Sequence, residues 1–178
     1  MKRTDILWFA MRVPYSREMK FKEHLDSLCI ENFIPMHYEF VLRDGIKTRK
    51  LVPVIHNLVF VRTSRTILDS MKSDLEMRLP VRYIMNKSQR EPLTVPENQM
   101  RDFITIASTL DDQLIYLDAG EVSLKKGDKV RITDGAFSGI EGKFVRIGGD
   151  RRVVVSIDGL MAIATAFIPI SLLEKIEQ

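Results

Sequence analysis

"VRITDGAFSGIEGKFVRI", residues 130–147, reads as two β-strands joined by a tight, glycine-bearing turn. Three of the chain's 9 glycines, Gly135, Gly139 and Gly142, fall within this stretch. A strand pair that must turn sharply and pack closely needs residues that tolerate positive φ or let two backbones approach. Asp134-Gly135 supplies the turn, Gly139 relieves the loop, and Gly142 lets the next strand bend. Working outward from here, "DKVRIT", "GKFVRI", "RRVVVSID", "MAIATAFI" and "SLLEKI" are short strand segments separated by turn residues. Such a run, from Leu124 to the C-terminus, is expected to form a small all-β barrel of SH3-like size.

The front of the chain has a different texture. "ILWFAMRV" (6–13) is an apolar strand ended by Pro14. "SREMKFKEHLDSLCI" places Phe21, Leu25, Leu28 and Cys29 on one helical face, with Ser16 as the expected N-cap. "FIPMHYEFVLRDGIKTRKLVPVI" reads as a hairpin about Asp44-Gly45. "LVFV" (58–61) follows as a buried strand. "TILDSMKSDLEMRL" is a second helix, with Thr66 and Asp69 resembling a capping box. After "VRYIM" (81–85), "VPENQMRDFITIA" repeats Met100, Phe103, Ile104 and Ala107 at helical spacing. The order β-α-β-β-α-β-α is that of an α+β, ferredoxin-like domain. The expected organisation is a domain over 1–110, a linker over 111–123 and a barrel over 124–178.

Composition narrows the function classes. The 178 residues are 45% hydrophobic and 29% charged, with a mean hydropathy of −0.06. No apolar run is long enough to cross a bilayer, and no export signal opens the chain, so a cytoplasmic protein without a membrane partner is expected. The single cysteine, Cys29, can form no internal disulfide. The net charge is +3 and the excess of cations lies in the first 110 residues, so nucleic-acid contact is expected there. His24, His37 and His56 lack metal-ligand spacing, and no phosphate loop or nucleophile motif occurs. No enzyme, metal or cofactor is expected.

"GDKVRITDGAFSGIEGKFV" (127–145) resembles the KOW motif at every position of its pattern. "WFAMRV", the basic helix, "FIPM", "LVPVIHNLVFV" and "PLTVP", in that order, resemble the NGN domain of the NusG/Spt5 transcription elongation factors. The resemblance spans nearly the whole chain, as NGN, linker and KOW. His56 and Leu58 stand where proline and tyrosine are usual, and Asn57 replaces glycine. His56 and Leu58 lean away from the housekeeping member, and Asn57, with "EHL" (23–25) and "PM" (35–36), is similar to the specialised, RfaH-like branch. Asp158 occupies the position of a phenylalanine used to hold ribosomal protein S10, so coupling to S10 or to Rho is not implied.

What this resemblance implies is a monomeric elongation and antitermination factor acting on specific long operons. It would bind the clamp helices of the largest RNA polymerase subunit through Ile55, Leu58, Phe60 and Ile84. Arg17, Lys20 and His24, on one face of the first helix, would meet non-template DNA or nascent RNA. Lys47, Arg49 and Lys50 on the hairpin are read as solvated charges. Two other readings compete: a housekeeping NusG coupled to ribosome or Rho, and a ribosome-associated KOW protein that binds RNA.

Overall fold

The computed structural model describes residues 4–73, 79–86, 88–118, 121 and 127–176. Its backbone forms two compact units, one of residues 1–35 and 55–97, the other of 36–54 and 98–178.

The first unit is built on β1 (Ile6–Arg12), with β2 (Glu31–Phe33), β5 (Leu58–Ser64), β6 (Arg82–Tyr83) and the short β7 (Thr94–Val95). The sheet runs β2-β5-β1-β6, and β7 pairs with β1. β1 and β5 are antiparallel from Ile6↔Ser64 to Arg12↔Leu58. Helices α1 (Glu18–Ser27) and α2 (Arg65–Ser73) cover one face. That face carries Phe9, Met11, Val59 and Val61, and Tyr83 joins it, its ring centroid 5.7 Å from that of Phe9. The Tyr83 hydroxyl donates to Asp69 on α2 at 3.0 Å. Burial raises the Tyr83 pKa, and the bond to Asp69 adds to it. The opposite face, with Trp8, Ala10, Leu58, Phe60 and Val95, is equally buried. Period-2 alternation therefore yields a near-continuous apolar run in β5, as expected of a strand covered on both sides.

Local chemistry differs from the sequence expectations at both helices. Ser16 is not a cap: it sits at φ 51, outside the extended region a cap residue adopts. Helix α1 stops at Ser27 because Cys29 turns left-handed (φ 55). The N–H groups of Ile30 and Cys29 donate back to the carbonyls of Leu25 and Asp26, which closes the helix as a Schellman cap. Leu28 and Cys29 consequently leave the apolar stripe and are exposed. In α2 the cap is Ser64, whose Oγ accepts from the Ile67 N–H at 3.3 Å, so Thr66 and Asp69 are not its capping box. Residues 74–78 of the segment expected as the second helix lie outside the described residues.

In the second unit, β3 (Met36–Arg43) and β4 (Ile46–Pro53) form the expected hairpin, with Asp44 at φ 51 and Gly45 at φ 77. Helix α3 (Glu97–Ala107) buries Met100, Phe103, Ile106 and Ala107. A six-stranded antiparallel sheet follows from β8 (Ile115–Asp118), β9 (Asp128–Ile132), β10 (Glu141–Ile147), β11 (Asp150–Ile157), β12 (Met161–Ala164) and β13 (Leu173–Lys175). Its order is β13-β9-β10-β11-β12-β8. The segment expected as a linker thus contributes a strand, with Leu117 opposite Ala162 and buried beside Val145 and Val154. A buried guanidinium fastens it: Arg152 Nη1 donates to the carbonyls of Gln113 at 2.6 Å and Thr165 at 2.8 Å. Among the described residues no helix is long and apolar enough to cross a membrane.

Gly142 and Gly135 serve different needs. A Cβ on Gly142 would lie 2.6 Å from the Val154 carbonyl oxygen and 2.7 Å from Val153 Cγ1, so the β10–β11 approach requires glycine. Gly135, at φ 85, faces open space and needs only its backbone freedom; its N–H bonds Asp134 Oδ1 at 2.7 Å. Gly139 adopts φ 87.

Candidate functional site

Three of the four expected polymerase-contact residues come together on the sheet face opposite α1 and α2. Phe60 and Ala10 are register partners, and the Ile84 N–H donates to the Ala10 carbonyl at 2.9 Å. Phe60 and Ile84 therefore flank Ala10 in one row, and Leu58 lies one pleat further along β5. Ile55 belongs to the turn that feeds β5. Burial separates them: Leu58 is 2% exposed and Phe60 0%, while Ile55 and Ile84 are half-buried. Only the last two offer side-chain surface.

The turn entering β5 is held by residues that depart from the family pattern. Asn57 adopts φ 67, a conformation glycine takes freely and asparagine tolerates. Its carbonyl accepts from the Val13 N–H at 2.9 Å, and its Oδ1 accepts from the Ser16 N–H at 2.9 Å. The side chain ties two loops that glycine would leave untied. His56 Nδ1 lies 3.4 Å from Oε1 of Glu18, a carboxylate only 2% exposed. Glu18 opens α1, where the helix dipole favours a negative charge.

Of the expected nucleic-acid residues, Arg17 and Lys20 are exposed and His24 is half-buried. Arg17 Cζ sits 5.9 Å from the centre of the Tyr15 ring. His24 lines a groove with Leu28, Ser70, Met71 and Ser73. Helix α1 lies on the opposite sheet face from Phe60 and Ile84, since its Lys22 bonds Asn32, whose register partner is Val61. The two expected surfaces therefore look in opposite directions. Below Lys22, Asp26 accepts from Asn32 at 2.7 Å and Lys22 at 2.9 Å, and these bonds hold its pKa below the usual value.

The hairpin carries more than the solvated charges expected of it. Lys47 Nζ lies 4.4 Å over the Phe40 ring, and Arg49 Cζ 4.0 Å over Tyr38. Arg49 also pairs with Asp112. Charge alternation was visible in the sequence, but the cross-strand stacking needed the register of β3 on β4. Tyr38 and Phe40 line a cavity of about 460 Å³ with Met36, Leu114 and Tyr116. Burial pushes the Tyr116 hydroxyl up to about 12. Asp158 sits in the turn after β11, where Gln99 Nε2 donates to it at 3.4 Å. Among the described residues no group of three His, Cys, Asp or Glu is placed to hold a metal ion.

These features define an α+β binding protein whose candidate surfaces are apolar, aromatic and cationic. The family model described as "Transcription termination factor nusG" matches residues 7–104. That is more than half of the chain, and the chain belongs to the NusG family of transcription factors. Among solved structures, one titled "Domain interaction in Thermotoga maritima NusG" is similar over 97% of this chain and 98% of that one, at 19% identity and a TM-score of 0.47. No curated protein matches.

Proposed function

We propose that the chain is a specialised, RfaH-like NusG-family factor that binds RNA polymerase and promotes processive elongation, or antitermination, on particular long operons. The observation that carries this reading is the family match over 7–104 followed, from Gly127, by "GDKVRITDGAFSGIEGKFV". The assignment of 1–110 to an NGN-like domain, 111–123 to a linker bearing one strand, and 124–178 to a KOW barrel is part of the proposal. Contact is with the polymerase clamp helices. Ile55 and Ile84 meet the partner directly, and Leu58 and Phe60 shape the surface from beneath. Apolar side chains left half-exposed on a sheet face are what such docking needs. Arg17, Lys20 and His24, on the opposite face, would meet nucleic acid by phosphate contact. The protein acts by binding, without catalysis or cofactor, in the cytoplasm and as a monomer.

Asp158 favours the specialised over the housekeeping reading, because a carboxylate stands where the resemblance places a phenylalanine. The test is transcription by the cognate core polymerase through a long template with pause sites, with and without the full-length chain. Shorter pauses or greater read-through are expected. Unaltered pausing and termination would remove the reading.

A further inference from the structure

The cavity at the root of the β3–β4 hairpin belongs to neither expected surface. Its volume of about 460 Å³ lies within the range of small-molecule sites. Three aromatic rings, Tyr38, Phe40 and Tyr116, line it together with Leu110 and Leu114. All five residues belong to the second unit, so a single compact unit builds the site.

Two observations distinguish this cavity from a packing gap. The Tyr116 hydroxyl oxygen is buried and has no hydrogen-bond partner among the described residues. Burial pushes its pKa up to about 12, so near neutral pH it is an uncharged O–H donor. A buried hydroxyl without a partner destabilises a fold, and this one is kept. His37 also lines the cavity; its Nδ1 is likewise buried and unpartnered, while its Nε2 lies 3.0 Å from Glu39 Oε1. The second observation is Leu110, which closes α3 through its N–H bond to the Ala107 carbonyl at 3.3 Å. Leu110 sits at φ 52, a conformation that glycine takes freely and leucine rarely. Glycine would close the helix without strain, but it would leave this wall of the cavity without a side chain. Strain of this kind gathers at ligand sites.

The charges at the rim leave little for an ionic ligand. Asp112 pairs with Arg49, whose guanidinium lies 4.0 Å over the Tyr38 ring. Asp111 Oδ1 accepts from the Gln113 N–H at 2.8 Å. Of the residues that line the cavity, only His37 can carry a positive charge, and Glu39 already faces it. An anion would therefore meet carboxylates with no free cation, and a cation would find Asp112 and the Tyr38 ring already occupied by Arg49. We propose that the cavity binds a small neutral aromatic molecule whose polar edge, bearing both a donor and an acceptor, pairs with the Tyr116 hydroxyl. The rings supply the contact area and the hydroxyl fixes the orientation, as in small-molecule sites generally. The ligand would join the hairpin root to the segment that leads into β8. The proposal is independent of the polymerase reading, because binding is read with no polymerase present.

The test titrates benzamide into the isotope-labelled full-length chain and follows its amide resonances. Benzoate, benzamidine and toluene share the ring and present an anionic edge, a cationic edge and no polar edge. Benzamide should shift the amides of residues 36–40 and 110–116 saturably. It should bind at least about fivefold more tightly than each of the other three, the worth of one hydrogen bond. Tyr116→Phe should weaken benzamide roughly fivefold and leave toluene unchanged. Leu114→Trp, which fills the cavity, should abolish binding of both; if it fails to fold, Tyr116→Phe decides. Without ligand, Tyr116→Phe should melt at the same or a higher temperature, because it removes an unpartnered buried hydroxyl. Any of five results would overturn the proposal: no saturable shift with any probe, which would leave the cavity to water; shifts confined to other residues; benzoate or benzamidine bound as tightly as benzamide; wild-type affinity for benzamide in Tyr116→Phe; or a lower melting temperature in that variant. The last would assign the hydroxyl to the fold.

Discussion

Left-handed turns occur in both units, and Gly135 in the second unit and Asn57 in the first meet them in opposite ways. At Gly135 the side chain is removed, and the turn before β10 is free to adopt φ 85 with nothing nearby. At Asn57 the side chain is kept and put to use, linking the loop after β1 to the turn before β5. Within the six-stranded sheet β9 to β12 follow one another, and the turn at Gly135 between β9 and β10 poses a problem of local backbone geometry. The first unit's sheet joins β1 to β5 across more than forty residues, and its difficulty is holding distant loops together. Glycine suits the first problem and a hydrogen-bonding side chain the second.

The largest expected effect breaks the backbone side of this comparison. Gly142→Ala would press a methyl group into the Val154 carbonyl at 2.6 Å, and a backbone atom cannot swing aside. A loss of about 3 kcal/mol is expected from urea unfolding, at the upper end for overpacking. Next comes Arg152→Met, which removes the donor bridging Gln113 and Thr165. About 2 kcal/mol should be lost, with amide exchange in Ile115–Asp118 accelerating more than in β10.

Asn57 tests the other side. Asn57→Ala loses the bond from Ser16 and places a less tolerant residue at φ 67, for about 2 kcal/mol. Asn57→Gly loses the bond but not the conformation, and should cost about 1 kcal/mol or less. Equal effects for the two variants would mean that the left-handed conformation costs alanine nothing, and wild-type stability in Asn57→Gly would mean that the side-chain bond contributes nothing.

Much of the second unit was legible because its signals are local. Gly135, Gly139 and Gly142, the Asp44-Gly45 turn and the strand segments 128–175 could be read from neighbouring residues. Strand β8 was not, because four residues of apolar chain look alike as a linker and as an edge strand. What decides is Arg152, some 35 residues away, whose partners are backbone carbonyls with no sequence signature. Helix ends were misplaced for a related reason: Ser64, Ser16 and Thr66 are equally good caps by type, and tertiary bonds choose among them. The candidate surface was half legible. Residue type grouped Leu58 and Phe60 with Ile84, which share one sheet face, but type cannot distinguish a surface apolar residue from a covered one.

The smallest effect concerns charge on the β9–β10 surface. Arg131 hydrogen-bonds Glu141 at 2.6 Å and, with Lys129, holds its pKa below the usual carboxylate value. A carboxylate depressed in the folded state stabilises above its unfolded pKa, and that contribution fades as pH falls through the folded value. Stability should therefore drop slightly below pH 4.5 in the wild type, and the slope should be shallower in Glu141→Gln. Identical slopes would show that the exposed pair contributes nothing measurable.

The most direct test of the central claim is retention of core RNA polymerase by the immobilised full-length chain, wild type against the double variant Ile55→Glu, Ile84→Glu. Both positions are half-buried, so unlike Leu58 or Phe60 they accept a charge without one being forced into the core. Polymerase retained by the wild type and lost by at least about tenfold in the double variant, with melting unchanged, is the expected result. Equal retention by both would contradict the assignment of this sheet face to the polymerase.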